Sequence, residues 1–286
     1  VNVNAELIHR YEFNSNLVDS VGGADGKAVI KNSGAYYLQG AYNLGNNLLP
    51  ASNGLANYLD LPNGIISSAG SAVTLEIWAV WNGPSDSTDQ TILTFGSNDL
   101  GEGTPSTARY ADFMFLSVSR FTNRNSIRSG EESVPNHIYM NASLPINQQA
   151  YLAVTWDDTT GQAKLYKNGI FMGTCPTKFT LEQLHDVNNW IGLSLWNGHP
   201  AFYGRIAEFR IHNNAFTDEM VLASFQAGPD TLVVPDYVVP CSPSPANKSA
   251  SWLMPTELTW QPDANSDIVL QNLYLGSDYM DVVRGD

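Results

Sequence analysis

Val73-Thr74-Leu75-Glu76-Ile77-Trp78-Ala79-Val80-Trp81 is the stretch on which the fold turns. Val73, Leu75, Ile77, Trp78, Val80 and Trp81 put apolar groups on both faces of an extended chain, which marks a strand covered on both sides at the centre of a sheet. Shorter runs with a period of two surround it. Glu6–Phe13 alternates Leu7, His9, Tyr11 and Phe13 against Ile8, Arg10 and Glu12, and Asn57–Leu61 sets Tyr58 and Asp60 against Leu59 and Leu61. Gln90–Phe95, Asp112–Val118, Tyr151–Trp156, Asn189–Leu193 and Arg205–His212 read as further strands. Asn168-Gly169 between the apolar runs Ala163–Lys167 and Ile170–Gly173 is a hairpin signal, because both turn positions must take positive φ. Ser97–Arg109 and Arg120–Val134 read as loops. A short helix is expected at 217–225, with Thr217 as its cap and Asp218 and Glu219 in its first turn. Many short strands, no βαβ alternation and one closing helix specify an all-β, two-sheet antiparallel sandwich.

Composition narrows the partners. Over 286 residues, 14 Lys+Arg stand against 28 Asp+Glu, a net charge of −14. Such a chain repels phosphate backbones and anionic lipid, so neither nucleic acid nor a membrane surface is an expected partner. With 43% hydrophobic and 15% charged residues, there is apolar material for a sizeable core. The 23 Gly and 15 Pro make a turn-rich chain and exclude helical bundles. No run approaches the ~18 apolar residues of a membrane span, so no membrane insertion is expected. The chain opens at Val1 without a leader pattern, which reads as a mature or excised product. Cys175 and Cys241 fit no metal spacing; a bond between them and two unrelated thiols are equally open.

Composition shifts at Gly228-Pro229-Asp230. Residues 1–230 form the sandwich domain, and 231–245, which hold Pro235, Pro240, Pro243 and Pro245, read as an extended linker. In residues 246–286, Glu257–Trp260 and Leu270–Leu275 are strand-like, a partial β segment too short for its own core.

Landmarks in order along the chain carry a family likeness. They are His9-Arg10-Tyr11-Glu12-Phe13-Asn14, Asp19-Ser20-Val21-Gly22-Gly23-Ala24-Asp25-Gly26, Leu59-Asp60-Leu61-Pro62-Asn63-Gly64 and Val73-Thr74-Leu75-Glu76-Ile77-Trp78. Leu152-Ala153-Val154-Thr155-Trp156, Leu165-Tyr166-Lys167-Asn168-Gly169, Asn189-Trp190-Ile191-Gly192 and Ile206-Ala207-Glu208-Phe209-Arg210-Ile211 follow. Residues 7–230 resemble the bacterial laminin-G-like, concanavalin-A-like jelly-roll family. The tail, through Leu258-Thr259-Trp260 and Tyr274-Leu275-Gly276, resembles the opening of an immunoglobulin-like or fibronectin-III-like module. The resemblance implies a concave and a convex sheet, export, and a binding or spacing role more often than catalysis.

Catalytic signatures are missing from the pattern. Sandwich glycosidases set two carboxylates at alternate positions of one strand, where they share a face. Here Glu76 and Glu208 each stand alone on a strand, and Glu131 and Glu132 are adjacent, so in a strand they would point to opposite faces. The five histidines show neither HxH nor HExxH spacing, and no G-x-S-x-G elbow exists. No catalytic residue is assigned.

Calcium has better support, since it needs oxygen ligands from carboxylates and loop carbonyls. The glycine-rich loop Asp19–Gly26 offers Asp19 and Asp25, with Glu12 beside it, and the resemblance implies a structural ion there. The family often has Asp where this chain has Ala207. A solvated acidic turn is the competing reading. For a ligand, exposed aromatics beside amides are what sugar rings need. The richest loop is Trp196-Asn197-Gly198-His199-Pro200-Ala201-Phe202-Tyr203, offering Trp196, His199 and Tyr203; Trp81 and Tyr110 are the next candidates. Trp78, Trp156 and Trp190 sit inside strand patterns and are read as core, whereas Trp196 and Trp81 divide evenly between core and platform. Arg120, Arg124 and Arg128 cluster on an acidic chain, where they either attract an acidic glycan or pair with local carboxylates.

These readings add up to a secreted or cell-surface, non-catalytic carbohydrate-binding or adhesive module with a glycan or surface polysaccharide as partner. The alternative is a structural component of a surface layer, whose partners are neighbouring subunits. An unrecognised glycoside hydrolase or polysaccharide lyase ranks third.

Overall fold

A computed structural model describes residues 6–32, 35–38, 40–45, 47, 55–83, 90–106, 111–118, 122–126, 137–139, 143–232, 241–244 and 259–261. The chain opens with β1 (Leu7–Tyr11), β2 (Lys27–Val29), β3 (Tyr36–Tyr37), β4 (Tyr42–Asn43), β5 (Tyr58–Leu61) and β6 (Ala72–Trp81). Then come β7 (Thr91–Asn98), β8 (Ala111–Ser117), β9 (Thr122–Ser126), β10 (His137–Tyr139), β11 (Gln149–Asp157) and β12 (Gln162–Lys167). After β13 (Ile170–Pro176), β14 (Asn188–Ile191) and β15 (Gly204–His212), α1 (Asp218–Ala227) follows, the one α-helix among the described residues.

Two antiparallel sheets result. One runs β13-β12-β11-β6-β15-β4-β3, with β1 also paired to β15; the other runs β10-β9-β8-β7-β14-β5-β2. As expected, β6 is central, and every residue from Val73 to Trp81 is buried. Its inward residues Val73, Leu75, Ile77, Ala79 and Trp81 join Leu59, Leu61, Phe95, Leu152, Ile191 and Phe209 in the main core between the sheets. Asn168 and Gly169 take φ of 50° and 74°, the left-handed pair that the hairpin between β12 and β13 requires. Thr217 caps α1 by accepting from the Met220 N–H. That helix lies on the outer face of the eight-stranded sheet, where Phe216 and Val221 pack on Trp78, Tyr151 and Tyr166.

Thr122–Ser126, inside a stretch read as loop, is instead the strand β9. Its sequence, TNRNS, has no apolar alternation; backbone pairing to β8 and β10 on either side makes the strand.

Two compact units divide the chain, Val1–Pro235 and Asp236–Asp286. In the second, β16 (Cys241–Ser244) pairs with β17 (Thr259–Gln261). Residues 241–244 fall within the stretch that reads as linker, and an extended, proline-bearing segment is already close to strand geometry. Residues 270–275 lie outside the described residues, as does the side chain of Cys241, while Cys175 is buried on β13. No helix among the described residues is long and apolar enough to cross a membrane.

Candidate functional site

Strand alternation builds a floor on the outer face of the seven-stranded sheet. In β5, Leu59 and Leu61 enter the core, so Tyr58 and Asp60 face outward. In β14, Ile191 goes inward and Trp190 outward, opposite Asp60 on one side and Thr94 on the other. Tyr58 packs on Trp190 with ring centroids 5.5 Å apart. Leu193, Leu195 and Ala201 cover this floor and close a second apolar cluster with Phe113.

Two loops are laced over it. The Gly103 N–H donates to Asn188 Oδ1 at 2.8 Å, and Asn188 Nδ2 donates to the Gly101 carbonyl at 3.1 Å. Backbone bonds join Ser106 to Leu195 (2.8 Å) and Asn197 to Ser106 (2.9 Å). Trp196 emerges at the rim, edge-on to Phe113 at 4.5 Å and only partly buried.

Of the residues expected to bind ligand, the structure brings Trp196 and His199 together, with ring centroids 5.4 Å apart. Ser194 Oγ ties them, accepting from the Trp196 N–H at 3.1 Å and bonding His199 Nδ1 at 3.2 Å. Tyr203 is held elsewhere, its N–H donating to Gln90 Oε1 and its carbonyl accepting from the Asn82 N–H. Trp81 is no platform. Its place in the alternation of β6 turns it inward, where it is 1% exposed and donates from Nε1 to the same Gln90 Oε1 at 2.9 Å. Tyr110, Arg120 and Arg128 lie outside the described residues, as does the side chain of Arg124.

Two carboxylates that were not singled out for this site stand beside the floor. Burial and the neighbouring Glu102 push the Asp60 carboxyl above its ordinary pKa, against the Trp190 indole and Lys27. Burial and Asp60 together push the Tyr58 phenol up to about 12. The Trp190 N–H faces Asp60 closely enough to favour the ionised form, yet completes no hydrogen bond, and neither does the buried Thr94 hydroxyl. Glu102 accepts from Asn63 Nδ2 at 3.3 Å. The alternation of Tyr58-Leu59-Asp60-Leu61 was the legible signal for Asp60; nothing local points to Glu102, which arrives from a loop.

The family model described as the concanavalin A-like lectin/glucanases superfamily, of laminin-G type, matches residues 53–222. The chain belongs to this superfamily. None of the curated proteins matches its sequence. Among solved structures, this superfamily member is similar to the binding domain of botulinum neurotoxin serotype D/C, at 14% identity and TM-score 0.52, covering 77% of this chain and 51% of that one. It is also similar to a botulinum neurotoxin type C structure whose title ties cell entry to two ganglioside molecules, at 13% identity and TM-score 0.50, over 79% and 51% of the two chains. Domain 4 of an extracellular GH43 arabinanase from Geobacillus stearothermophilus, in complex with arabinotriose, is 21% identical over 77% of this chain and 98% of that one, with TM-score 0.49. The chain spans about half of each neurotoxin structure. At such identities the likeness establishes the fold alone.

In this superfamily member the Asp19–Gly26 loop closes on its own N–H groups. Asp19 Oδ1 accepts from the N–H of Arg10, Val21 and Gly22, and Oδ2 from that of Ala24, at 2.9–3.1 Å. His9 Nδ1 meets Oδ2 at 2.7 Å. Burial alone would raise the pKa of Asp19, but these donors outweigh it and hold the carboxyl below its ordinary value. Asp25 accepts from the Asp19 N–H, and Glu12 pairs with Arg10 at 3.2 Å. Calcium needs a convergence of oxygen ligands. Donors fill the space around Asp19, so Glu12, Asp19 and Asp25 as arranged do not fit the expected ion. Among the described residues no group of three or more His, Cys, Asp or Glu is placed to hold a metal.

The two isolated strand carboxylates are consumed under α1. Glu208 is fully buried and receives Arg210 at 2.5 Å and Arg10 at 2.7 Å. Glu76, equally buried, accepts from the Tyr151 hydroxyl at 2.6 Å and meets His212 Nε2 at 2.7 Å. Burial opposes its charge, but His212 and Arg210 outweigh burial and hold its pKa below the ordinary value.

Proposed function

We propose that the domain is a non-catalytic carbohydrate-binding module that acts outside the cell, and that its ligand docks at the Trp196–His199 rim. The observation that carries this reading is that pair of rings, partly exposed, held in fixed relation by Ser194 and backed by Phe113. Trp196 offers an apolar face for the C–H side of a sugar ring, and the partly exposed His199 and Asn197 offer polar groups for hydroxyls. The interaction of the similar neurotoxin type C structure with gangliosides supports the choice of a glycan.

A glycan array with purified protein tests it. Binding to a defined glycan class, reduced about tenfold or more by Trp196→Ala with an unchanged melting curve, is the expected result. Silence from folded protein across the array overturns the reading.

One observation favours the second reading, a component of an extracellular assembly. The edge strand β13 exposes Ile170 (65%) and Phe171 (45%) beside Leu222 of α1 (41%), an apolar corner of the kind that neighbouring subunits cover. Sedimentation of wild type against Phe171→Glu separates the two readings.

A further inference from the structure

Helix α1 roofs only part of the eight-stranded sheet. One cross-strand row lies apart from the residues it covers: Tyr36 of β3 stands opposite Asn43 of β4, and Asn43 opposite Arg205 of β15. The next residues along, Tyr42 and Ile206, belong to the core, so alternation turns Asn43 and Arg205 outward, and Tyr36 with them.

Each member of the row has a distinct chemistry. Tyr36 is 48% exposed, an aromatic face open to solvent. Asn43 sits between the other two, its Nδ2 donating to the Tyr36 hydroxyl at 3.4 Å and its Oδ1 accepting from the Gly45 N–H at 2.7 Å. Arg205 is partly buried, and among the described residues no group accepts from its guanidinium. Arg10 and Arg210 share Glu208, and Lys164 pairs with Asp218. On a chain of net charge −14, a partly buried arginine with no acid paired to it among the described residues is a cation open to an external anion.

We propose that the Tyr36–Asn43–Arg205 row is a second saccharide subsite, selective for a sugar that bears a carboxylate. Two strand spacings place Tyr36 and Arg205 ~10 Å apart at the backbone, within which both side chains reach one monosaccharide. The sugar ring lies on Tyr36, Asn43 meets a hydroxyl, and Arg205 takes the carboxylate through two parallel N–H donors. Arginine suits this better than lysine because its planar fork matches the two carboxylate oxygens. The net charge of −14 repels such a ligand from the body as a whole, which adds to selectivity. The row lies on the opposite sheet from Trp196, so the two sites are separable.

Isothermal titration of the full chain with trigalacturonate, sialyllactose and lactose tests the proposal, the first two arms distinguishing uronic from sialic acids. Binding of one acidic probe, absent for lactose and weakened by salt, is expected. Arg205→Gln should lower that affinity about tenfold or more, Arg205→Lys less, and Tyr36→Ala severalfold. Trp196→Ala should leave it unchanged. Unaltered affinity in Arg205→Gln, or no binding of either acidic probe by protein with a normal melting curve, overturns the proposal. Loss in Trp196→Ala of the binding seen on the glycan array, with affinity for the acidic probe unchanged, supports two separate sites and distinguishes failure of the rim from failure of this row.

Discussion

The two outer faces of the sandwich solve the same problem in opposite ways. Under α1, the eight-stranded sheet carries Glu76, Glu208, Arg210, Tyr151 and His212, all buried, and joins each to a partner of complementary charge or polarity. On the seven-stranded sheet, loops cover Trp190 and Thr94 yet leave their polar atoms unpaired, and Asp60 stands near Glu102 with a raised pKa. The ionic network under the helix neutralises its carboxylates and leaves one buried polar atom, His212 Nδ1, without a hydrogen-bond partner. Unspent polar groups beside a partly open rim are where a ligand has something to gain. Position on a strand is equivalent in the two cases; only what covers the strand differs.

The largest effect should come from breaking the closed face. Glu208→Ala leaves Arg210 and Arg10 without their carboxylate and should cost about 3–5 kcal/mol in a urea melt, with glycan binding unchanged in whatever protein remains folded. Asp19→Ala, which removes the acceptor of three loop N–H groups and of the Arg10 N–H on β1, should cost about 2–3 kcal/mol, whereas calcium or chelator should leave the wild-type midpoint where it is. A chelator-induced drop in melting temperature would restore the ion to this loop.

Acid should separate the faces by sign. Glu76 and Asp19 have lowered pKa values, so the stability they contribute is complete above the ordinary carboxylate range and is lost as pH falls through their folded values. Asp60 is raised, so its ionisation costs stability as pH climbs through its folded value. Asp60→Asn should therefore be more stable than wild type at neutral pH, the gain vanishing in acid; equal stability of the two at all pH values would remove the strain assigned to Asp60. The smallest effect belongs to Thr94→Val, which removes a buried hydroxyl without a partner and should shift stability by less than ~1 kcal/mol, towards greater stability. A clear loss there would reveal a partner for that hydroxyl and narrow the difference between the faces.

Much of the architecture was readable from local pattern. Period-two alternation found β6 and its neighbours, Asn168-Gly169 found the hairpin, and Thr217 marked the start of α1, because each signal rests on residues adjacent in the chain. Strand β9 escaped because its pairing is a property of β8 and β10 rather than of its own side chains. Trp81 and Trp196 looked alike as tryptophans near strand ends. Alternation sent one to the core, while a loop crossing from Ser106 placed the other at a rim.

Sequence by itself therefore determined the class of fold, the central strand, the closing helix and the acidic character of the chain. Tertiary structure alone decided which carboxylates are neutralised and which remain exposed to choice. Glu208 meets Arg10 across 198 positions and Glu76 meets His212 across 136. Asp60 meets Glu102 because a loop brings Glu102 over the sheet, and Arg205 meets Asn43 and then Tyr36 because strands distant in the chain lie side by side. Electrostatic partnership depends on distance in space and on what shields it from water, and neither is written in the order of residues.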